Sequence, residues 1–396
     1  MFFADKPYIS DFFKMTVRDN AIPVVGTETA KQLGLYSGTK ILTEDKAVEM
    51  VRKTDKPLIY TTSENSIGWI SKKLAFTNLP EKIELFKDKL KFRELTKSIF
   101  PDFYFKSVRV EDLKKIQFRE LPLPFIIKPI VGFMSMGVYK VSNFEEWTNT
   151  VDSIIAEIDQ IKDLYPDEVL NTSSFIIEQS INGDEFAVDA YYNSNGEAVI
   201  LNILNHTFSS DTDVLDRVYI SSKKIIENNL KEFTEFAQKI GNLAGVKNFP
   251  VHIELRREND GTLLPVEVNP MRFGGWCTTP DLSFMAYNFN PYLYYYLQKK
   301  PNWPELLKGK EGKLFSVIVL GNSTGIDVDK IASFNYEKLL LNFEKPIELR
   351  KIDYKKYHVF GFLFTETKED NFIELKNILD SDLNELVVLR TCTKIT

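Results

Sequence analysis

Residues 251–275, V-H-I-E-L-R-R-E-N-D-G-T-L-L-P-V-E-V-N-P-M-R-F-G-G, read as two short strands joined by a tight turn. Val251, Ile253 and Leu255 alternate with His252, Glu254 and Arg256. A pleated strand sends alternate side chains to opposite faces, so the three polar residues share one face. Asn259, Asp260 and Gly261 supply the turn, because these residues tolerate positive φ or cap their own backbone. On the second strand Val266 and Val268 fall on one face, Glu267 and Asn269 on the other. A hairpin that is apolar on one side therefore gathers Glu254, Glu267 and Asn269 on its other side. Two readings are open: a solvated polar face, or a set of hard oxygen ligands without a cysteine or histidine cluster. The second suits Mg²⁺, which keeps waters and shares phosphate oxygens with its substrate. It requires the rest of the chain to provide for a phosphate.

Composition bounds the answer. A chain of 396 residues is too long for one core and should form two or three domains. It is 43% hydrophobic and 27% charged, an ordinary globular mixture. A net charge of −6 argues against a nucleic-acid binder, which would show a basic stripe. The two cysteines, Cys277 and Cys392, cannot build a disulfide framework or a thiolate metal site, and fit a reducing compartment. No stretch is long and apolar enough to span a bilayer, and no apolar run develops at the start before charge and proline interrupt it. A cytoplasmic protein without a membrane partner is the expectation.

Upstream, residues 1–80 alternate short apolar runs with helical patterns, the sign of an α/β layer. Strands are expected at 22–25, 40–43 and 57–60, with helices at 27–33 and 45–53. Gly26 stands alone after the first of these strands, where a dinucleotide site needs a glycine-rich turn, so this layer is assigned no cofactor. Residues 81–100 read as one helix with Lys89 and Arg93 one turn apart, by themselves an exposed charged face. L-P-F-I-I-K-P-I-V-G-F-M-S-M-G-V-Y-K-V, 123–141, reads as a strand ending in Lys128, a loop and a second strand. It is either a plain hairpin or a cover for a nucleotide triphosphate, with Lys128 and Ser135 offered to phosphate oxygens. A helix follows over 144–165, capped by Ser142 or Asn143.

Residues 174–179 form a strand whose apolar run ends in Glu178. A turn at 181–183 leads to a strand over 185–192 that carries Glu185, and such a connection can present backbone groups to an adenine edge. Residues 199–208 continue the sheet with His206, read as structural, and 209–216 is a polar loop. A long helix spans 223–241. Gly274, Gly275 and Pro280 interrupt regular structure before an aromatic helix at 290–298. From 314 onward the order β-α-β-β-α-β describes a split ferredoxin-like unit without a catalytic cluster, a lid, a dimer surface or part of a substrate wall.

In order, the lysine helix, I-I-K-P, I-I-E-Q-S-I-N-G-D-E, V-H-I-E-L-R and P-V-E-V-N-P resemble the ATP-grasp superfamily of carboxylate–amine and carboxylate–thiol ligases. The resemblance covers roughly residues 80–300. It implies an α/β and α+β multidomain fold: a Rossmann-like layer at 1–80, an ATP-grasp domain at 81–300 whose subdomains meet at 178–179, and a small ferredoxin-like α+β domain at 301–396. It implies that Lys89 and Lys128 contact ATP phosphates, with Lys128 also near the adenine. Glu178, Gln179 and Ile181 would read the adenine, and Glu185 would bind the ribose. Glu254, Glu267 and Asn269 would hold one or two Mg²⁺ ions, with Mn²⁺ able to substitute. Arg272 would neutralise the substrate carboxylate or the acyl phosphate. The substrates implied are a small-molecule carboxylate and an amine, with carboxylation, phosphoryl transfer or binding without turnover as alternatives, and dimers are common in the superfamily. One departure bears on geometry: many relatives read E-x-N-x-R, but here Met271 pushes the arginine one residue further. On a continuing strand that slip would turn Arg272 to the opposite face, so its assignment requires the strand to end at Pro270.

Overall fold

The computed structural model describes residues 1–54, 57–132, 137–161, 171–210 and 216–390. The described chain divides into two compact units. The first comprises 1–183, 190–199 and 235–276; the second comprises 184–189, 200–234 and 277–396.

In the first unit, four very short strands pair in parallel in the order Ile41–Leu42, Val24–Val25, Phe2–Phe3, Tyr60–Thr61. Helices Glu28–Gln32 and Glu44–Arg52 lie between them in sequence, capped by the hydroxyls of Thr27 and Thr43. This is the α/β layer the alternation implies. Its central strand, Phe2–Phe3, and the helix Asp11–Asp19 were not among the sequence expectations. A two-residue strand leaves no period to read, yet its position is fixed by packing: the rings of Phe2 and Tyr60 lie 5.1 Å apart.

The helix expected over 81–100 is two helices, Leu79–Lys87 and Lys89–Thr96. Asp88 breaks the run with extended backbone (ψ 110°) and its carboxylate accepts the Lys91 amide, so it caps the second helix. The break gives Lys89 and Arg93 a direction of their own. A four-stranded antiparallel sheet follows in the order Phe105–Arg109, Asn171–Gln179, Phe125–Val131, Tyr139–Val141. Helix Phe144–Ile161 starts at Asn143, which accepts the Glu146 amide, while Glu146 reaches back to the Ser142 amide. Trp147, Val151 and Ile154 bury its apolar face against Phe125, Ile127 and Ile177.

The hairpin of the opening stretch is formed by Phe249–Arg257 and Leu263–Pro270, closed by the Glu258 amide donating to the Thr262 carbonyl, the Gly261 amide donating to the Glu258 carbonyl, and Gly261 at φ +90°. The connection at 181–183 turns on Gly183, φ +99°, where a Cβ would lie 2.0 Å from the Arg257 carbonyl oxygen. Gly183→Ala should therefore combine backbone strain with a backbone clash and cost on the order of 3 kcal/mol. Gly261→Ala has a similar φ and nothing within 4 Å, and should cost about 1 kcal/mol. Denaturant midpoints of the two variants check the difference.

Gly241, expected at a helix end, lies inside the helix Lys223–Ala244, where a Cβ would meet the Tyr192 ring at 2.1 Å. The left-handed residue after that helix is Gly245, φ +62°.

The second unit contains an antiparallel run of Val218–Ser222, Lys313–Gly321, Val359–Lys368 and Pro346–Lys351, in that order. The last three take the places expected of the first, third and second strands of a split unit. The final strand, Val387–Leu389, does not join them: it pairs with Ile331–Phe334 in a separate two-stranded ribbon. The free edge it would have used is occupied by Val218–Ser222. Residues 328–343, expected as mostly helix, divide into a 3₁₀ turn, that strand and the short helix Tyr336–Leu340. Pro280 stands in the first turn of helix Thr278–Tyr287, where its missing N–H breaks no helical hydrogen bond, and the aromatic helix is Pro291–Tyr296. Among the described residues no helix is long and apolar enough to cross a membrane.

Candidate active site

Cross-strand register sets Glu254 opposite Glu267 and His252 opposite Asn269. The Asn269 amide stands between the carboxylates, its Nδ2 donating to Glu254 Oε1 at 3.3 Å and Glu267 Oε1 at 3.1 Å. The sequence thus brings all three oxygen-bearing side chains together. Two adjacent carboxylates repel unless cations answer them, and the helix Lys89–Thr96 supplies one: Lys89 Nζ lies 3.4 Å from Glu267 Oε2 and also donates to the Gly132 carbonyl. Burial pushes the Glu267 carboxyl up, but Lys89 and Lys128 outweigh it and hold the group below its ordinary range. Glu267 is thereby kept ionised. A half-turn of the Asn269 amide replaces its donor with Oδ1, completing a set of oxygen donors that fits a Mg²⁺ ion. Among the described residues no three His, Cys, Asp or Glu side chains gather to hold a metal; this set differs by taking an amide as its third member.

Against Pro265 of the hairpin lies a buried charge cluster. Arg93, read from sequence as part of an exposed face, is 3% exposed. Its Nε donates to Glu178 Oε2 at 2.8 Å and its Nη1 to the Pro265 carbonyl at 2.7 Å. Lys128 pairs with the other oxygen of Glu178. Burial alone would raise the Glu178 carboxyl, yet Arg93 and Lys128 bring it down to about 2. Burial lowers the Lys128 ammonium, against the pull of Glu178. Each oxygen of the Glu178 carboxylate thus pairs with one buried cation. Its neighbour Gln179 accepts the Tyr104 amide through Oε1 at 2.9 Å, and the Ile181 carbonyl accepts from Arg256 Nη1 at 2.6 Å.

The strand Leu263–Pro270 does end at Pro270. Met271 adopts φ +67°, and Arg272 emerges beyond it. Its Nε and Nη2 donate to Glu64 Oε1 at 3.1 and 2.8 Å, and Nη1 donates to the Phe273 carbonyl. Lys87 pairs with the other oxygen of Glu64. Burial raises the Glu64 carboxyl, but Lys87 and Arg272 bring it to about 2. The Arg272 guanidinium is lowered by burial and raised more by Glu64, with Glu254 and Glu267 adding to the rise. Arg272 therefore lies within electrostatic reach of the acidic pair. Sequence reading missed Glu64, Lys87 and the burial of Arg93. T-S-E-N-S is an unremarked loop, and its partner stands 208 residues away.

Ser135 lies outside the described residues. Glu185 belongs to the second unit, where its Oε1 lies 2.8 Å from His206 Nδ1. His206 is buried and stacks on Tyr219, ring centroids 4.1 Å apart. Trp276 is left-handed, φ 56°, and stacks on Tyr8 at 6.5 Å.

Residues 121–280 match the family model of the ATP-grasp domain. No sequence among curated proteins matches the chain. Among solved structures, the fold is similar to an L-amino acid ligase from Bacillus licheniformis, TM-score 0.68 at 16% identity, covering 98% of each chain. It is also similar to an N5-carboxyaminoimidazole ribonucleotide synthetase from Thermotoga maritima, TM-score 0.61 at 16% identity, covering 98% of this chain and 99% of that one. A biotin carboxylase from Campylobacter jejuni, solved as a β,γ-ATP complex, gives TM-score 0.61 at 11% identity, covering 98% and 92%. Residues 121–280 thus match an ATP-grasp domain, and the chain shares the overall fold of these structures.

Proposed function

We propose that the protein is an ATP-dependent ligase that activates a small carboxylate as an acyl phosphate for attack by an amine. The observation that carries the reading is the set of charges in the first unit: Lys89 and Lys128 beside the acid pair Glu254 and Glu267, with Arg272 within reach of both acids. Anionic phosphates and a carboxylate can meet only where cations offset them, and a divalent ion is held only where acids remain ionised. Both conditions occur on one hairpin face.

In this reading residues 81–300 carry the nucleotide site. Lys89 and Lys128 bind phosphate oxygens, and Glu178 with Arg93 fixes the direction of Lys128. Glu254, Glu267 and Asn269 would hold Mg²⁺, which when bound offsets charge on the transferring phosphoryl group. Arg272 binds the substrate carboxylate. A carboxylate oxygen attacks the terminal phosphorus, the bond to the ADP oxygen breaks, and ADP leaves. The amine nitrogen then attacks the acyl carbon, the carbon–oxygen bond breaks, and phosphate departs as the nitrogen loses a proton. The likeness to an L-amino acid ligase supports amino acids as the first substrates to try. The likeness to a carboxyaminoimidazole synthetase and a biotin carboxylase supports carboxylation as the second reading.

Incubation with ATP, Mg²⁺ and a broad panel of acids and amines, amino acids included, should release ADP and phosphate with a new C–N bond. ADP release that depends on bicarbonate favours carboxylation, and no release with any pair counts against both. Lys128→Ala should raise the half-saturating ATP concentration about tenfold, the loss of one charge-assisted phosphate contact. An unchanged ATP dependence would remove Lys128 from the nucleotide site.

A further inference from the structure

We infer that Glu64, from the N-terminal α/β layer, is the positioning residue that aims Arg272 at the substrate carboxylate. The inference rests on the ligase reading above and adds a residue to it. Arg272 follows a left-handed residue just past a strand end, so its own backbone does little to direct a long, rotamer-rich side chain. Direction comes from the layer formed by the first 80 residues. Glu64 Oε1 accepts both Nε and Nη2, which fixes the plane of the guanidinium as a single contact cannot. Glu64 is itself 8% exposed and fixed by Lys87 on its other oxygen. The same layer grips the turn from below: the Thr61 amide donates to the Met271 carbonyl at 2.8 Å, and the Tyr60 and Phe273 rings lie 5.0 Å apart. Backbone and side chain of the arginine turn are thus held by the strand Tyr60–Thr61 and by Glu64 in the 3₁₀ turn that follows it.

Charge makes the arrangement selective. Arg272 and Lys87 carry two positive charges and Glu64 one negative, so the trio keeps one net positive charge while its geometry is fixed. Glu64 is ionised throughout the neutral range, its carboxyl held at about 2. Among the described residues the Nη1 edge is bonded only to the neighbouring Phe273 carbonyl, leaving further guanidinium N–H capacity for an incoming carboxylate. The N-terminal layer thereby contributes to the chemistry of the domain that follows it.

The experiment is a double-mutant cycle on the full chain. ADP release is followed with ATP, Mg²⁺ and an equimolar mixture of the proteinogenic amino acids. Glu64→Gln and Arg272→Lys should each lower kcat over the half-saturating amino-acid concentration by about 10–100-fold, the cost of a misplaced group. The half-saturating ATP concentration should stay within about threefold, since Lys89 and Lys128 are untouched. The double variant should fall no further than Arg272→Lys alone, because Glu64 acts through Arg272. Multiplicative losses in the double variant, or a matching loss of ATP affinity, would overturn the inference. Glu64→Gln leaves Lys87 and Arg272 without their shared anion, so Glu64→Gln with Lys87→Met, which removes one buried cation too, is assayed beside it. Wild-type turnover in that folded pair also overturns the inference. A wild-type chain that releases no ADP from the mixture defeats the ligase reading for amino acids itself, and is thereby distinguished from a failure of the cycle.

Discussion

Glu267→Gln is expected to lower ADP release by about 10³-fold while leaving the chain folded. The size follows from where the charge stands. Glu267 lies 3.4 Å from Lys89 and opposite Glu254, with Lys89 and Lys128 together keeping it ionised against burial. Glutamine has nearly the same shape and its carbonyl can still accept the Asn269 amide, so packing is preserved. What disappears is one of the two anions that would hold Mg²⁺, and with it the charge that balances Lys89. The side chain is 25% exposed, so solvent takes up part of the imbalance and the stability cost should stay near 1 kcal/mol. Turnover and thermal midpoint, measured on the same preparation, separate the two effects. Turnover within tenfold of wild type would remove Glu267 from the metal site. A loss of turnover that tracks unfolding would reassign it to stability.

The hairpin that carries Glu267 was legible because everything that shapes it is local. Alternation fixes its faces, Asn259-Asp260-Gly261 closes it, and three polar side chains must then share one side. The N-terminal layer was legible in part for the same reason, through the helical patterns at 27–33 and 45–53 and the apolar runs beside them. What failed to show was anything set by distant partners. A lysine–arginine helix face has one appearance in sequence whether water or a carboxylate answers it, and here Glu178, 85 residues on, answers Arg93. Asp88 carries no glycine or proline to announce a break, so the helix that aims Lys89 was read as the middle of a longer one. The final strand of the C-terminal region has the expected pattern, but pattern does not choose between two edges. Arg272 is the intermediate case. Its usefulness turned on whether one residue, Pro270, ended a strand, and sequence could state that condition without resolving it.

Glu178→Gln should destabilise the chain at neutral pH by about 3–5 kcal/mol, lowering the thermal midpoint by roughly 10 °C. The change removes one charge but strands two. Arg93 and Lys128 are 3% and 5% exposed, and both depend on the two oxygens of Glu178. An amide cannot answer two buried cations, and desolvation once offset by pairing would be left uncompensated. The same residue fixes the pH dependence. Its carboxyl lies at about 2 in the folded chain, against 4.5 for an ordinary glutamate. A group depressed on folding contributes stability that is fully present above about 4.5 and is lost as pH falls through about 2. Wild type and Glu178→Gln should therefore differ most at neutral pH and converge as pH falls from 4.5 towards 2, where Glu178 itself becomes protonated. Adding Arg93→Met to Glu178→Gln should recover part of the loss, since one stranded cation is replaced by a side chain of similar length. Because Arg93 also donates to the Pro265 carbonyl on the hairpin that carries Glu254 and Glu267, that rescue should restore midpoint more than turnover. Denaturation curves from pH 7 to pH 2 decide the matter: a constant gap between wild type and variant across that range would show that Glu178 stabilises by shape, not charge.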